Sequence, residues 1–289
     1  MYCEFYGLKE MPFNLVPDPD YLFMSVQYQQ ALSVLEYGLT KDGFAIITGE
    51  VGTGKTTLVR KLLDRDDTKY TVGLLNHTVV YDKNELMKWI LFSFGVVYDE
   101  SQGGQVQLYG ELSKFLINEY KEGRQCIMII DEAQKLDFDF LEQIRMISNI
   151  NFGKNQLIQF ILVGQPELRD VLKKPEMRQF AQRIAVDFHL GCLSQQDTYM
   201  YITHRITIAG GDPQIFDDES KHLIWQHSGG LPRLINVLCD TALIYGYAFL
   251  STKINADIVR HVINDKKQGL TPLSAGDQLA LDSEQKKLE

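Results

Sequence analysis

The sequence predicts an α/β protein in which a parallel five-stranded sheet flanked by helices precedes a small all-helical domain. Short apolar runs alternate with segments of helical periodicity between residues 44 and 190. Beyond residue 193 only helical patterns follow. Strands separated by helices run parallel and are covered on both faces, which explains why the runs are almost wholly apolar.

The chain begins with an aromatic segment that has neither helical nor strand periodicity. Tyr2, Phe5, Tyr6 and Phe13 alternate with turn-forming residues up to residue 20. Because aromatic side chains need a surface to pack against, we expect an ordered but irregular arm. Apolar residues then recur at helical spacing over 25–38, which predicts the first helix.

The sheet region is assigned from its apolar runs and from the amphipathic segments between them. Glycines mark a loop over 95–104. The predicted strands are 44–48, 71–76, 126–130, 157–163 and 184–190. The predicted helices among them are 54–63, 84–94, 107–120, 140–149 and 166–172.

The remaining sequence carries helix signals. Ser194 with Asp197 is similar to a capping box with Asp in place of Glu, and Pro232 occupies a first-turn position behind two glycines. The predicted helices are 194–209, 218–227, 232–249 and 255–264. The whole chain therefore divides into three predicted parts: a core with its arm over 1–193, a helical lid domain over 194–268, and a polar tail over 269–289 that we expect to be disordered.

Composition narrows the functional classes. The 289 residues suffice for about two domains. A net charge of −9 disfavours binding to nucleic acid through a broad basic surface, without excluding it. Four widely spaced cysteines without a CxxC pair indicate a reducing, cytoplasmic compartment, and Cys126 in an apolar run is expected to be a buried thiol. We expect neither a signal peptide nor a membrane span, because no apolar run approaches about 18 residues.

The strongest chemical signal is GEVGTGKT, a complete match to the P-loop pattern between a strand and a helix. Glycines let backbone N–H groups surround phosphate oxygens, and the helix N-terminus adds positive potential. Lys55 would supply a charge to the β- and γ-phosphates, and Thr56 a hydroxyl to Mg²⁺. The predicted nucleotide-binding residues are Gly49, Glu50, Val51, Gly52, Thr53, Gly54, Lys55, Thr56 and Thr57.

The second signal is a pair of carboxylates, Asp131 and Glu132, directly after the apolar strand 126–130. Many buried strands end in a charged residue. Downstream of a P-loop, however, the pattern is typical of an Asp that holds Mg²⁺. Glu132, next along the chain, can then polarise the attacking water.

Three weaker signals complete a hydrolytic site. Gln165 follows the strand 157–163 and either orients water or is a turn residue before Pro166. Arg178 and Arg183 precede the last strand, where an arginine reaches a neighbouring subunit's site or forms a surface salt bridge. Arg233, at the start of a helix after Gly229 and Gly230, either reaches back over the phosphates, the favoured interpretation, or is a plain cap arginine.

The chain resembles general secretion pathway protein A, the ExeA-type AAA+ ATPase family, over roughly residues 1–266. The P-loop and the DEAQ run are shared with many nucleotide hydrolases, whereas the arm, VGQPEL over 163–168 and GGLPR over 229–233 are more specific. The resemblance implies an AAA+ module that uses ATP and Mg²⁺ and assembles into a ring or filament. It also implies sensor or arginine-finger roles for Gln165, Arg183 and Arg233, and similar ATPases accompany pilus-biogenesis and exosortase systems.

The resemblance makes a Mg²⁺-dependent ATPase the leading functional hypothesis. Such an enzyme would work with an envelope-complex protein at the cytoplasmic face of the bacterial inner membrane. In this family a membrane span and a peptidoglycan-binding domain follow the ATPase, so this chain would be an excised domain or a stand-alone relative. Two alternatives stay open: a regulator of a DNA transaction, and a nucleotide-gated interaction module with little turnover.

Overall fold

Strands and helices alternate along the chain in a computed structural model that describes residues 1–16, 18–63, 69–76, 85–98 and 104–267. The strands there are β1 (Phe44–Thr48), β2 (Tyr70–Asn76), β3 (Gln125–Asp131), β4 (Asn151–Phe152), β5 (Asn155–Gln156), β6 (Ile158–Gly164) and β7 (Ile184–His189). The α-helices are α1 (Tyr2–Phe5), α2 (Val26–Leu39), α3 (Lys55–Leu63), α4 (Leu86–Ser93), α5 (Gln105–Lys121), α6 (Phe138–Ile147), α7 (Glu167–Leu172), α8 (Arg178–Ala181), α9 (Gln195–Ile208), α10 (Asp218–Ser228), α11 (Pro232–Ala248) and α12 (Ala256–Lys267).

Five of these strands form a parallel sheet in the order β2-β3-β6-β1-β7, which confirms the predicted architecture. Every residue of β1 and β6 is buried, because helices cover both faces of the central strands. The edge strand β2 exposes Val72 and Leu74. The apolar interior therefore lies around the middle of the sheet, and the polar ends of the strands lie at its rim.

The register brings the carboxyl ends of four strands to one level. Thr48 at the end of β1 pairs with Gly164 of β6 on one side and with His189 of β7 on the other. Ile130 of β3 pairs with Leu162 of β6, so the residues that follow β3 lie level with the end of β6. Ligands bind at this edge in open parallel sheets, near the strand where the order reverses. In this sheet that strand is β1.

By its internal contacts the chain divides into two units. One contains described residues within 26–50 and 58–190, and with them the whole sheet. The other contains residues 1–25, 51–57 and 191–267. The sequence placed the arm with the core over 1–193, whereas residues 1–25 belong to the unit of the C-terminal helices.

The arm belongs there because its aromatic side chains pack on those helices. The hydroxyl of Tyr2 donates to Asp240, and that of Tyr6 donates to the Ser251 carbonyl at 2.9 Å. The rings of Phe13 and Phe216 lie 5.9 Å apart, edge to face. The arm was predicted to be ordered; apart from α1 and a 3₁₀ turn at Pro19–Tyr21, its described part is irregular.

The helix ends agree with the capping signals in the sequence. The Ser194 hydroxyl accepts a hydrogen bond from the Asp197 N–H before α9, and Pro232 is the first residue of α11. The predicted loop over 95–104 lies only partly within the described residues, and the predicted tail over 269–289 lies outside them.

Candidate functional site

The phosphate-loop sequence links β1 to α3, and two of its three glycines adopt conformations that other residues rarely adopt. Gly52 has φ +86° and Gly54 has φ +92°. Lys55 begins α3 and is 9% exposed, whereas Thr53 is fully buried. Positive φ turns successive backbone N–H groups in this loop toward one side, which is how a P-loop surrounds an anion.

The loop is in contact with the start of α11, within one unit of the chain. The Arg233 N–H donates to the Gly52 carbonyl at 3.2 Å. A Cβ on Gly52 would lie 2.5 Å from the Arg233 Cβ, so only glycine fits. The structure thus places the first turn of α11 against the loop, and the reach of the Arg233 side chain over the phosphates stays a prediction.

The geometry of that run explains its glycines. Gly229 ends α10 in the left-handed region. Gly230 also has positive φ, and a Cβ there would lie 2.0 Å from the Leu193 carbonyl oxygen. The Leu193 N–H in turn donates to the Gly230 carbonyl at 2.8 Å. These contacts fix the direction from which α11 approaches the loop.

The carboxylate pair lies at the carboxyl end of β3, in the other unit. Asp131 is the last residue of β3, and its Oδ1 accepts the Glu132 N–H at 2.9 Å. Glu132 has φ 56° and ψ 34°, a left-handed conformation that costs an L-residue about 1–2 kcal/mol. Such strain in a non-glycine residue is typical of functional sites, where surrounding contacts hold it in place.

One of those contacts comes from Gln134, a residue to which the sequence gave no role. Its Nε2 donates to Glu132 Oε2 at 2.9 Å, and its Oε1 accepts the Gln165 N–H at 3.0 Å. The side chain of Gln134 therefore joins the turn after β3 to the turn after β6. Nothing in the sequence pattern distinguishes this glutamine from a surface residue, because the two turns meet only in the folded sheet.

The turn after β6 also touches the beginning of the phosphate loop. The Gly49 N–H donates to the Gly164 carbonyl at 3.2 Å. A Cβ on Gly164 would lie 3.1 Å from Gln134 Oε1 and 2.9 Å from a Leu168 methyl, so glycine leaves room for the glutamine. Gln165 is half-buried at this strand tip, the position predicted for it.

The two arginines before β7 differ in their surroundings. Nη1 of Arg183 donates to Ser148 Oγ at 2.7 Å and to the Arg145 carbonyl at 3.3 Å, so its head is bound within its own chain. Arg178 is exposed at the start of α8, and its side chain has no hydrogen-bonding or ion-pair partner in the described part of the chain. Of the two, Arg178 is the arginine available to another molecule.

Comparisons with known proteins agree with this geometry. The AAA domain family matches residues 39–172. General secretion pathway protein A of Aeromonas hydrophila is 40% identical over 256 residues, which is 88% of this chain and 46% of that protein. The chain thus has an AAA-type P-loop fold, with a match to the AAA domain family over residues 39–172, and is similar to general secretion pathway protein A.

Solved AAA-type structures share the fold at low sequence identity. The ORC2 protein of Aeropyrum pernix, in ADPNP–ADP complexes, has a TM-score of 0.68 at 17% identity, covering 89% of this chain and 71% of its own. The RuvB Holliday junction branch migration motor of Thermotoga maritima has a TM-score of 0.59 at 17% identity, and the match covers 89% of this chain and 74% of that one. At such identities the likeness shows the fold alone.

The chain spans less than half the length of its secretion-pathway relative. None of the helices within the described ranges combines the length and the apolar composition that crossing a bilayer requires.

Proposed function

We propose that the chain is a Mg²⁺-dependent ATPase whose hydrolysis drives assembly or remodelling in a secretion, pilus or exopolysaccharide system of the cell envelope. One observation carries the proposal: a complete P-loop follows β1, and at the same edge of the sheet β3 ends in Asp131 and a strained Glu132. Sequence relationship to general secretion pathway protein A supports the choice of system.

The residues present suit ATP and Mg²⁺. Gly52 and Gly54 have the positive φ angles that an anion-binding loop needs, and Lys55 adds a charge at the start of α3. Thr56 and Asp131 offer hydroxyl and carboxylate oxygens, the hard donors that Mg²⁺ prefers. Bound Mg²⁺ would neutralise phosphate charge as the terminal phosphoryl group is transferred to water.

Each residue has a separate role in this proposal. Lys55 and the amides of 49–57 bind phosphates, and Glu132 polarises the attacking water. Gln165 contributes an amide at the tip of β6 that orients this water. Arg233, whose backbone N–H is bonded to the Gly52 carbonyl, couples the position of the helical lid domain over 194–268 to whether nucleotide is bound in the loop.

Two substitutions test these roles. Lys55→Ala should abolish ATP binding because it removes the charge beside the phosphates. Glu132→Gln should keep binding and lower kcat by roughly 10²–10⁴-fold, the usual contribution of a general base. Titration with ATP and a phosphate-release assay measure the two effects. Equal affinity of wild type and Lys55→Ala for ATP would contradict the site assignment.

The metal role has its own test. Thr56→Ala should weaken the binding of Mg·ATP more than that of metal-free ATP, because only the former uses the hydroxyl. Affinities measured with magnesium and with EDTA give the comparison. An equal loss in both would remove Thr56 from the metal site.

We further propose that the active form is a homo-oligomeric ring or filament, with an envelope-complex protein as partner, at the cytoplasmic face of the membrane. Arg178 supports self-association because its side chain is exposed and has no partner in the described part of its own chain. The DNA alternative would rely on a modest cluster of basic residues, namely Lys253, Arg260, His261, Lys266 and Lys267. Arg260 forms ion pairs with Asp257 at 2.7 Å and with Glu219 at 2.8 Å. These carboxylates weaken its attraction to a phosphate backbone.

A further inference from the structure

Gln134 joins the proposed general base to the tip of β6. Its amide group has one acceptor and one donor, and each atom faces the complementary partner: Oε1 faces the Gln165 N–H, and Nε2 faces Glu132 Oε2. A reversed amide would set donor against donor and acceptor against carboxylate. The backbone N–H of Gln165 therefore dictates the orientation of the amide, and the amide dictates where the Glu132 carboxylate lies.

The backbone of Glu132 strengthens this conclusion. Asp131 Oδ1 accepts its N–H, and its carbonyl accepts the Lys135 N–H at 3.0 Å. These bonds hold the left-handed turn but leave the side-chain torsions free. Two side chains reach Glu132 Oε2: Gln134, at 2.9 Å, and Lys135, which forms a longer ion pair at 3.5 Å with Lys135 about half exposed. An exposed ion pair fixes geometry weakly.

The other end of the contact is connected to the phosphate loop. Gly164, the residue before Gln165, accepts the N–H of Gly49, the first residue of the loop. A displacement of the β6 tip would therefore move both the start of the loop and the donor that orients Gln134. Three elements of one unit, the ends of β1, β3 and β6, share this set of hydrogen bonds.

We propose that Gln134 is a positioning residue for hydrolysis: it sets the orientation of the Glu132 carboxylate and relates that orientation to the β6 tip. The inference rests on the proposed ATPase function and on Glu132 as its base. Glutamine suits the role because asparagine is one methylene shorter and glutamate would place a second negative charge beside Glu132. A role confined to folding would instead affect stability and substrate binding together.

The test is Gln134→Met, which keeps the length and volume of the side chain and removes both hydrogen bonds. We expect kcat to fall about 10–100-fold, as for a misplaced catalytic group, while KM and the affinity for a non-hydrolysable ATP analogue stay within about twofold. Gln134→Asn, which keeps the amide, should lower kcat in the same direction if Gln134→Met proves too unstable to purify.

Two comparisons separate positioning from a general disturbance. Lys135→Met removes the other contact to the same oxygen and should leave kcat within about twofold, because that ion pair is exposed. In a Glu132→Gln background, Gln134→Met should cause no further loss, since the group that it orients is gone.

Three results would overturn the inference while leaving the proposed base in place. They are wild-type kcat in Gln134→Met and Gln134→Asn, a loss that adds in full to that of Glu132→Gln, and a rise in KM with kcat unchanged. Wild-type turnover in Glu132→Gln would overturn the proposed base together with this inference. A slow Glu132→Gln beside a fully active Gln134→Met would overturn the inference alone.

Discussion

Gly52 shows how a single missing side chain shapes the phosphate loop. Its φ of +86° and its contact with Arg233 both require glycine. The P-loop pattern predicts Gly54 and Lys55 directly, because GK[ST] specifies them. The pattern allows any residue at position 52, so the need for glycine there follows only from the approach of α11.

We predict that Gly52→Ala weakens ATP binding at least tenfold. A Cβ would force the loop or Arg233 to move, and a left-handed alanine adds about 1–2 kcal/mol of strain. Gly110→Ala is the matched control, because Gly110 lies in α5 with open space around its Cβ and no positive φ. That change should leave binding unchanged and raise stability by about 0.5–1 kcal/mol. Titration with ATP measures the affinity of each variant, and urea unfolding measures its stability. Equal ATP affinities of wild type and Gly52→Ala would contradict the loop geometry.

The cysteines give a second prediction at this scale. Burial raises the pKa of the Cys126 thiol to about 12 and also raises that of Cys239, whereas Cys192 is exposed. Alkylation requires the thiolate, so iodoacetamide at pH 8 should modify Cys192 first and leave Cys126 and Cys239 intact until the protein unfolds. Mass spectrometry of digests taken over time reads out the order. Early labelling of Cys126 would mean that the centre of the sheet opens in the native protein.

At the scale of elements, the sequence predicted the five sheet strands and the long helices because each carries its own periodicity. It missed the hairpin of β4 and β5, whose strands have two residues each and are mostly polar. It also missed the contacts of Arg183 and Gln134, which depend on segments distant in sequence meeting in space. The sequence predicts where each sheet strand ends. It does not predict which partner each side chain at those ends contacts.

The arm is attached to the C-terminal helices through a buried cation. Arg205 is 7% exposed, and its guanidinium donates to the carbonyls of Pro12 and Asn14 and to the Tyr201 hydroxyl. Burial raises the pKa of the Tyr201 phenol, which donates onward to Asn236 at 2.8 Å. No carboxylate forms an ion pair with Arg205 within the described ranges, so neutral oxygens and the rings of Tyr21 and Tyr201, whose centroids lie 4.8 and 5.6 Å from its Cζ, satisfy its charge.

We predict that Arg205→Met destabilises the protein by about 1–3 kcal/mol and exposes the arm. The change keeps the volume of the side chain but leaves the carbonyls of the buried Pro12 and of Asn14 without their donor. Urea unfolding measures stability, and limited proteolysis should then cut within residues 1–25. Arg260→Met is the control: its ion pairs are exposed, so it should alter neither property. An arm that stays resistant to protease in Arg205→Met would show that its aromatic contacts suffice.

For the whole molecule, the proposed assembly predicts that turnover depends on protein concentration and on Arg178. Arg178→Ala should keep stability and ATP binding yet lose turnover, since an arginine supplied by a neighbour contributes about 10³–10⁵-fold in phosphoryl transfer. Arg183→Ala should mainly lower stability, because its head is bonded to Ser148 and the Arg145 carbonyl.

Mixing the variants tests the exchange between subunits. Inactive Arg178→Ala combined with inactive Lys55→Ala should recover part of the activity, because some interfaces pair an intact loop with an intact arginine. Specific activity that stays flat over a wide dilution series, without recovery on mixing, would indicate a self-sufficient monomer.

The path of the chain through its two units also sets an order of events during synthesis. Tyr2 and Tyr6 are bonded to residues 238 and 245 positions further along, so the arm cannot find these partners until Asp240 and Ser251 have been made. All strands of the sheet have been made by residue 189, whereas the partners of the arm and of Gly52 follow over roughly 60 more residues. At about 5–20 residues per second, that interval lasts about 3–12 s. We therefore expect the nascent chain to build its sheet before it can bind phosphate, so that ATP stabilises only chains that extend past the start of α11.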